Sequence, residues 1–79
     1  MDIRVDLLYR GIQTLGYVYS EPHGLIIPYN FIIDYVERHS LVQNLNIVDV
    51  FLARLEKEGK LEVVRQTFDP DLIAGVRLK

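Results

Sequence analysis

The chain has 79 residues, almost half of them hydrophobic, and a formal net charge of −2 at pH 7. This length predicts one domain over residues 1–79 with a small apolar core. The absence of cysteine excludes disulfides, thiolate zinc sites and cysteine nucleophiles. No signal peptide is expected, because charges at Asp2, Arg4 and Asp6 follow closely on Met1. No membrane span is expected, because the sequence lacks a long apolar run. We therefore expect a soluble, cytoplasmic protein.

The distribution of charge bears on the kind of partner. Residues 1–39 carry five acids and three bases, and residues 40–79 carry six of each. A dedicated DNA-binding protein is usually marked by a basic face, and no segment of this chain forms a basic arm. The charge pattern therefore favours a protein partner.

The first element in chain order is an amphipathic helix, predicted over residues 3–19. The apolar residues at helical spacing are Leu7, Leu8, Ile12 and Leu15. Glycine weakens a helix by up to about 1 kcal/mol relative to alanine, so Gly11 and Gly16 indicate close packing against another helix, or an early end near Gly16. Tyrosines cluster in the first two helices among apolar residues, which favours core or dimer packing over stacking on bases. A homodimer through helix 3–19 is one expectation.

The middle of the chain predicts a turn, a short strand and a second helix. The segment "SEPHG" has turn chemistry around Pro22 and Gly24. "LIIP" is β-branched and ends at Pro28, which also suits the first turn of a helix. "PYNFIIDYVERHS" then predicts the second helix, with apolar residues on more than one side.

The third helix, residues 46–58, is the best-specified element. Asn46 is the predicted N-cap, with Asp49 three residues on as in a capping box. The predicted buried stripe is Val48, Phe51, Leu52 and Leu55. Gly59 is placed to end the helix in the left-handed conformation. Residues 60–79 follow as two strands, "KLEVVRQTF" and "LIAGVRLK", joined by "DPD".

This order, closed by "FLARLEKEGKLEVV" and "GVRLK", resembles the winged helix-turn-helix superfamily. The residues that carry the resemblance are Leu52, Leu55, Glu56, Gly59, Leu61, Val76 and Leu78. It implies an α+β fold of three helices with a two- or three-stranded antiparallel wing. The same helix and wing look similar to the winged-helix subunits of the endosomal sorting complex ESCRT-II, which bind proteins.

A third and more local resemblance covers only the end of the chain. "DPDLIAGVRLK" is similar to a hairpin of the ATP synthase delta subunit, with Ala74 in place of a glycine. The matching residues are Asp69, Pro70, Leu72, Ile73 and Gly75. This resemblance implies a fragment of a delta-like subunit.

In DNA-binding members of the superfamily, the third helix enters the major groove. The resemblance then makes Asn46, Val50 and Arg54 candidates for base contacts. The candidates for phosphate or backbone contacts are Gln43, Asn44, Lys57, Lys60, Arg65 and Arg77. Against this, Asp49 on the helix and Asp69 and Asp71 at the wing tip would repel a polyanion. A capped, solvated helix face explains Asn46, Asp49 and Lys57 equally simply, and an ordinary turn is the simpler explanation of Asp69 and Asp71.

The sequence gives no support for catalysis or a cofactor. "GIQTLG" lacks the Lys-Ser/Thr ending of a phosphate-binding loop, and no nucleophile motif is present. His23 and His39 have no carboxylate at metal-ligand spacing, so we expect no metal site. Two hypotheses remain open. The first is a small DNA-binding transcriptional regulator, which is the commoner expectation for a compact single-domain winged helix. The second is a protein-interaction module within a larger complex, which the charge pattern favours.

Overall fold

The computed structural model describes residues 3–79, so Met1 and the charge of Asp2 lie outside the described residues. The fold is α+β, with three helices and a four-stranded antiparallel sheet. In chain order the elements are α1 (Ile3–Gln13), β1 (Val18–Ser20), β2 (Gly24–Pro28), α2 (Tyr29–His39), α3 (Asn46–Lys57), β3 (Leu61–Arg65) and β4 (Ile73–Leu78). No helix within residues 3–79 is long and apolar enough to cross a membrane.

The first helix is shorter than predicted, and a strand replaces its second half. The helix ends at Gln13, where the N–H groups of Thr14 and Leu15 close a tight turn onto the preceding carbonyls. Val18–Ser20 then pairs with β2. The prediction of one helix over 3–19 was therefore wrong beyond Gln13, and the alternative of an early end near Gly16 is confirmed. β-Branched and aromatic residues favour a pleated strand, and pairing with β2 satisfies the backbone groups of β1 that point toward β2.

The sheet has the strand order β1-β2-β4-β3, all antiparallel. β3 and β4 form the predicted hairpin, and the predicted strand at "LIIP" is confirmed as β2. β2 lies beside the returning strand β4, with Ile27 opposite Val76 and Pro28 opposite Gly75. The sheet thus holds one strand more than the largest predicted wing, and that strand is β1.

The core lies between the three helices and one face of the sheet. The predicted α3 stripe of Val48, Phe51, Leu52 and Leu55 is confirmed as buried. It packs with α1, α2 and the strands in one apolar cluster. Gly59 has φ +79°, and the N–H of Lys60 donates to the Leu55 carbonyl. The predicted left-handed end of α3 is therefore confirmed.

The predicted cap at the start of α3 is wrong. Asn46 is the first helical residue, Leu45 occupies the N-cap position, and neither side chain makes a cap hydrogen bond to the first turn. Instead the Oδ1 atom of Asn44 accepts the N–H of Asn46 at 3.0 Å. Asp49 does not complete a capping box, because its Oδ1 atom accepts the hydroxyl of Tyr29. Burial raises the pKa of Tyr29, and the hydrogen bond to Asp49 raises it further.

A glycine makes the contact between β2 and β4 possible. A Cβ atom on Gly75 would lie 2.3 Å from the Ile27 carbonyl oxygen, which is backbone and cannot move aside. A Cβ atom on Gly16 would meet nothing within 4 Å, and Gly16 has no positive φ. Gly75 is therefore required by packing, whereas the structure places no such requirement on Gly16.

We expect Gly75→Ala to lower the free energy of unfolding by about 1–3 kcal/mol, because the added methyl forces β2 and β4 apart. Gly16→Ala, the matched control, should leave it unchanged within about 0.5 kcal/mol or raise it slightly. Urea unfolding followed by circular dichroism measures both. Equal stability of the two variants would contradict the close β2–β4 contact.

Candidate interaction surface

The outward face of α3 carries the predicted base-contacting residues. Asn46, Val50 and Arg54 are exposed and follow one another at four-residue spacing along the helix, and exposed Lys57 comes three residues after Arg54. Gln43 and Asn44 lie exposed in the loop before the helix. The structure therefore brings these six candidates to one helix and the loop that enters it.

The basic candidates on this side of the molecule are largely matched by acids. Arg54 Nε lies 3.3 Å from Glu58 Oε2. Lys60 Nζ lies 3.8 Å from Glu58 Oε1 and 4.0 Å from Asp6 Oδ1. Such exposed pairs contribute at most about 1 kcal/mol each and can open. The carboxylates would still stand beside any phosphate that these cations bound, and would repel it.

Arg77 is a structural residue that holds three strands together. Its Nη1 atom donates to Glu62 Oε1 on β3 at 3.0 Å. Its Nε atom donates to the Leu25 carbonyl at 3.2 Å, and its Nη2 atom donates to the His23 carbonyl in the β1–β2 turn. The planar guanidinium suits this fork of acceptors. Arg77 thus clasps the β1–β2 hairpin onto β4.

The register separates the two arginines predicted on the wing. Glu62 lies opposite Arg77, whereas Arg65 lies opposite Ile73 next to a bulge. Arg65 Nη1 donates to the Pro70 carbonyl at 3.2 Å within its own hairpin. Within the described residues neither Arg65 nor Lys57 has an acidic partner. These two are the candidates best placed to act on a ligand.

The tip of the β3–β4 hairpin combines a tight turn with exposed apolar side chains. Asp69 Oδ1 accepts the N–H of Asp71 at 3.0 Å, and the Asp69 carbonyl accepts the N–H of Leu72 at 3.0 Å. Asp69 therefore has the local turn role that its residue type predicts. Phe68 is 76% exposed and Leu72 49% exposed at this tip.

Apolar exposure is also the main property of the middle of α3. Val50 is 63% exposed, and the neighbouring outward residue Ala53 is exposed as well. We call Val50, Ala53, Phe68 and Leu72 the α3–hairpin residues. Single exposed apolar residues are ordinary, but aromatic side chains such as Phe68 are enriched in protein interfaces relative to the rest of the surface.

An open groove of about 410 Å³ lies beside the start of α3. It is lined by Arg4, Ser40, Leu41, Val42, Gln43, Asn44 and Ile47. Arg4 is its single charged lining residue, and its guanidinium also lies 5.4 Å from the centre of the Phe51 ring. The lining mixes amides and apolar side chains and contains no carboxylate and no histidine. Residues 3–79 also contain no group of three or more potential metal ligands.

Comparisons with protein families, with curated proteins and with solved structures each found no match. The winged-helix, ESCRT-II and ATP synthase resemblances therefore stay predictions. A proposal for the function must therefore be based on the geometry of the chain itself.

The sequence did not reveal the role of Arg77. Its carbonyl partners lie 52 and 54 residues away in the chain, so no local pattern marks them. The alternation of Val76, Arg77 and Leu78 places Arg77 on the face away from the core, which is also where a phosphate contact would be predicted.

We expect Arg77→Ala to lower the free energy of unfolding by about 1–2 kcal/mol, since three partly exposed hydrogen bonds are lost. Arg77→Lys should recover only part, because an ammonium group cannot present the same fork. Arg65→Ala is the control and should change the free energy by less than about 0.5 kcal/mol. The urea concentrations at the unfolding midpoints compare the stabilities of the variants. Equal losses of stability in Arg65→Ala and Arg77→Ala would rule out the clasp.

Proposed function

We propose that this chain is a non-enzymatic protein-interaction module of the winged-helix type, which binds a partner protein through the α3–hairpin residues. The observation that carries the proposal is the exposure of Val50 and Phe68, at 63% and 76%, on the two elements that would form the binding face. Burying such side chains against a partner gains roughly 25 cal/mol for each Å² of apolar surface removed from water.

The order of elements supports the winged-helix part of the proposal. Three helices precede a β3–β4 hairpin, and β2, between α1 and α2, pairs with the returning strand β4. In this arrangement α3 packs on the same core as the hairpin that follows it. Its outward face and the hairpin tip then stay exposed and available to a ligand.

Electrostatics supports a protein over a nucleic acid as that ligand. The net charge is −2, and the face would carry Asp49, Glu58, Asp69 and Asp71 among its cations. Nucleic-acid binding draws much of its affinity from neutralised phosphates. A mixed-charge rim around apolar side chains is the usual composition of a protein interface.

Site-specific photo-crosslinking in cells that make this protein tests the proposal directly. A benzophenone amino acid placed at Val50 or at Phe68 should give an adduct of defined mass that protease removes and nuclease does not. The same amino acid at exposed Glu37 on α2 is the control and should give no such adduct. Addition of Val50→Lys to the Phe68 crosslinking chain should reduce the yield, because a charge then enters the apolar contact.

The absence of a position-specific protein adduct at both sites would overturn the proposal. A nuclease-sensitive adduct would point instead to the second candidate function, a DNA-binding regulator. One observation favours that candidate: Asn46, Arg54 and Lys57 share the exposed face of α3 with Val50.

A salt series of duplex DNA binding, followed by fluorescence anisotropy, decides the second candidate. Each neutralised phosphate adds about 0.9 to the slope of log affinity against log salt. A DNA-binding regulator would give a slope of roughly four to eight, and a Lys57→Glu, Arg65→Glu double variant would reduce it without touching the Arg77 clasp. Under our proposal we expect no binding even at low salt. A steep slope that the double variant reduces would favour the regulator.

A further inference from the structure

The two edges of the sheet are β1 and β3, because the strand order is β1-β2-β4-β3. An edge strand presents backbone N–H and C=O groups that another strand can pair with, and natural proteins usually block such edges with charges, bulges or covering groups. The two edges of this sheet differ sharply in how they are protected.

The β3 edge is blocked. Glu56 Oε2, from α3, accepts the N–H of Val63 at 2.9 Å and so covers a donor on this strand. Glu62 and Arg65 add charge of both signs, and a register irregularity lies between Val64 and Arg65. A further strand cannot extend the sheet at this edge without displacing the Glu56 carboxylate.

The β1 edge has no comparable protection. Residues 11–20 contain no Lys, Arg, Asp, Glu or His, and no described residue forms a strand outside β1. The Ser20 carbonyl accepts the N–H of His23 at 2.7 Å and so points toward β2. Because backbone groups alternate along an antiparallel strand, the N–H and C=O groups of Tyr19 point outward. Tyr17 lies just before β1, and an extension of the strand by that residue would turn its N–H and C=O groups outward as well.

The side chains along this edge are apolar on both faces of the sheet. Tyr19 is 64% exposed and lies on the face that carries the helices, because it stands opposite Leu25, two residues from the core residue Ile27. Tyr17, just before β1, is 45% exposed. Val18 is 41% exposed on the other face, where it stands opposite the buried Ile26 of β2. The Tyr17 hydroxyl accepts the N–H of Leu78 at 2.9 Å, which fixes this side chain over β4.

We propose that β1 pairs antiparallel with β1 of a second copy of this chain. A two-fold axis perpendicular to the sheet keeps each residue on its own face, so only residues of the same parity can lie opposite one another. Centring the axis on Val18 places Val18 opposite Val18 of the partner subunit and Tyr17 opposite Tyr19 of the partner subunit. All opposed residues then fall within 16–20, and Glu21 stays outside.

The absence of charge is what selects a second copy as the occupant. In a self-pair each strand meets its own sequence, and like charges directly opposite destabilise a sheet; this tract has none. Two outward-facing tyrosines give two hydrogen-bonded Tyr17–Tyr19 pairs across the axis, and aromatic cross-strand pairs are favourable. Since the β3 edge is blocked, the assembly stops at two copies with one continuous sheet.

This inference goes beyond the proposed function and shares no residue with it. β1 contributes none of the α3–hairpin residues, so loss of either surface leaves the other intact. A monomer that still crosslinks through Val50 would overturn only the dimer, and a dimer without a partner adduct would overturn only the proposed function.

Single cysteines test the pairing and its register, because the native chain has none. Across a non-hydrogen-bonded antiparallel pair the Cα atoms lie about 4.5 Å apart, within disulfide range. Val18→Cys should therefore link to its own copy under oxidised glutathione. Tyr19→Cys should not, since the two-residue offset puts it about 8 Å from its copy. Leu25→Cys, exposed on β2, measures random collision.

We expect Val18→Cys to form the linked dimer at least about tenfold faster than Leu25→Cys, because pairing raises the local thiol concentration. A mixture of Tyr17→Cys and Tyr19→Cys chains should link to each other faster than Tyr19→Cys links to itself. Equal rates at all positions would overturn the pairing. A faster rate for Tyr19→Cys than for Val18→Cys would overturn the register, and with it the proposal as stated.

Charge exchange gives an independent readout without oxidant. The native chain should sediment with an increasing dimer fraction from micromolar to millimolar concentration. Val18→Lys and Val18→Glu should each be monomeric while keeping cooperative urea unfolding, and an equimolar mixture should restore the dimer. Ile3→Lys, at an exposed position on α1, should dimerise like the native chain. A native chain that stays monomeric, or a mixture that does not recover, would overturn the proposal.

Discussion

The pairing of β2 with β4 is the contact on which the rest of the fold depends. It joins only two pairs of residues, Ile27 with Val76 and Pro28 with Gly75, yet it ties the β1–β2 hairpin to the β3–β4 hairpin in one sheet. Ile27 and Val76 are fully buried in the core. Pro28 also precedes the first residue of α2, with an extended conformation, so the same contact fixes where that helix starts. The missing side chain of Gly75 permits the approach, and Arg77 clasps it.

This constraint makes the β3–β4 hairpin a poorer candidate for binding phosphate than its arginines alone predict. An arginine that bonds two carbonyls and a carboxylate of its own chain is committed to the fold, and an added phosphate would have to compete with all three acceptors. Lys60 and Arg54 are held near acids in the same way, though more weakly. The middle of the outward face of α3 and the hairpin tip still expose Val50, Phe68 and Leu72 among their polar residues. A small core supplies limited stability, so a partner that covers Val50 and Phe68 would add burial that the isolated chain does not have.

Local pattern was enough to predict α3, whereas of the four residues predicted as the stripe of the first helix Leu7 is exposed and Leu15 lies beyond the helix. The spacing of Val48, Phe51, Leu52 and Leu55 specifies α3, and Gly59 specifies its end, because both depend on nearest turns alone. β1 could not be predicted in this way. The three residues of β1 are too few to show the alternation of apolar and polar side chains that marks a strand. The apolar spacing typical of a helix continues through Leu15, so only the pairing with β2 determines that Val18–Ser20 is a strand. Asn44 and Asn46 are both of a residue type that caps helices, and only the folded loop shows that the Asn44 side chain accepts the N–H of Asn46. The carbonyls that Arg77 bonds are more than fifty residues distant.

The two proposed surfaces also constrain each other through symmetry. A β1–β1 pair would build one sheet across a two-fold axis, and each copy would keep its own α3 and β3–β4 hairpin away from that edge. The dimer would therefore present two identical apolar faces in a fixed relation. Two faces on one rigid sheet bind a repeated or symmetric partner more tightly than either face alone, because the second contact forms at high effective concentration. Weak individual faces, as expected from a few exposed side chains, are then sufficient, and the blocked β3 edge keeps the assembly from growing into a fibre.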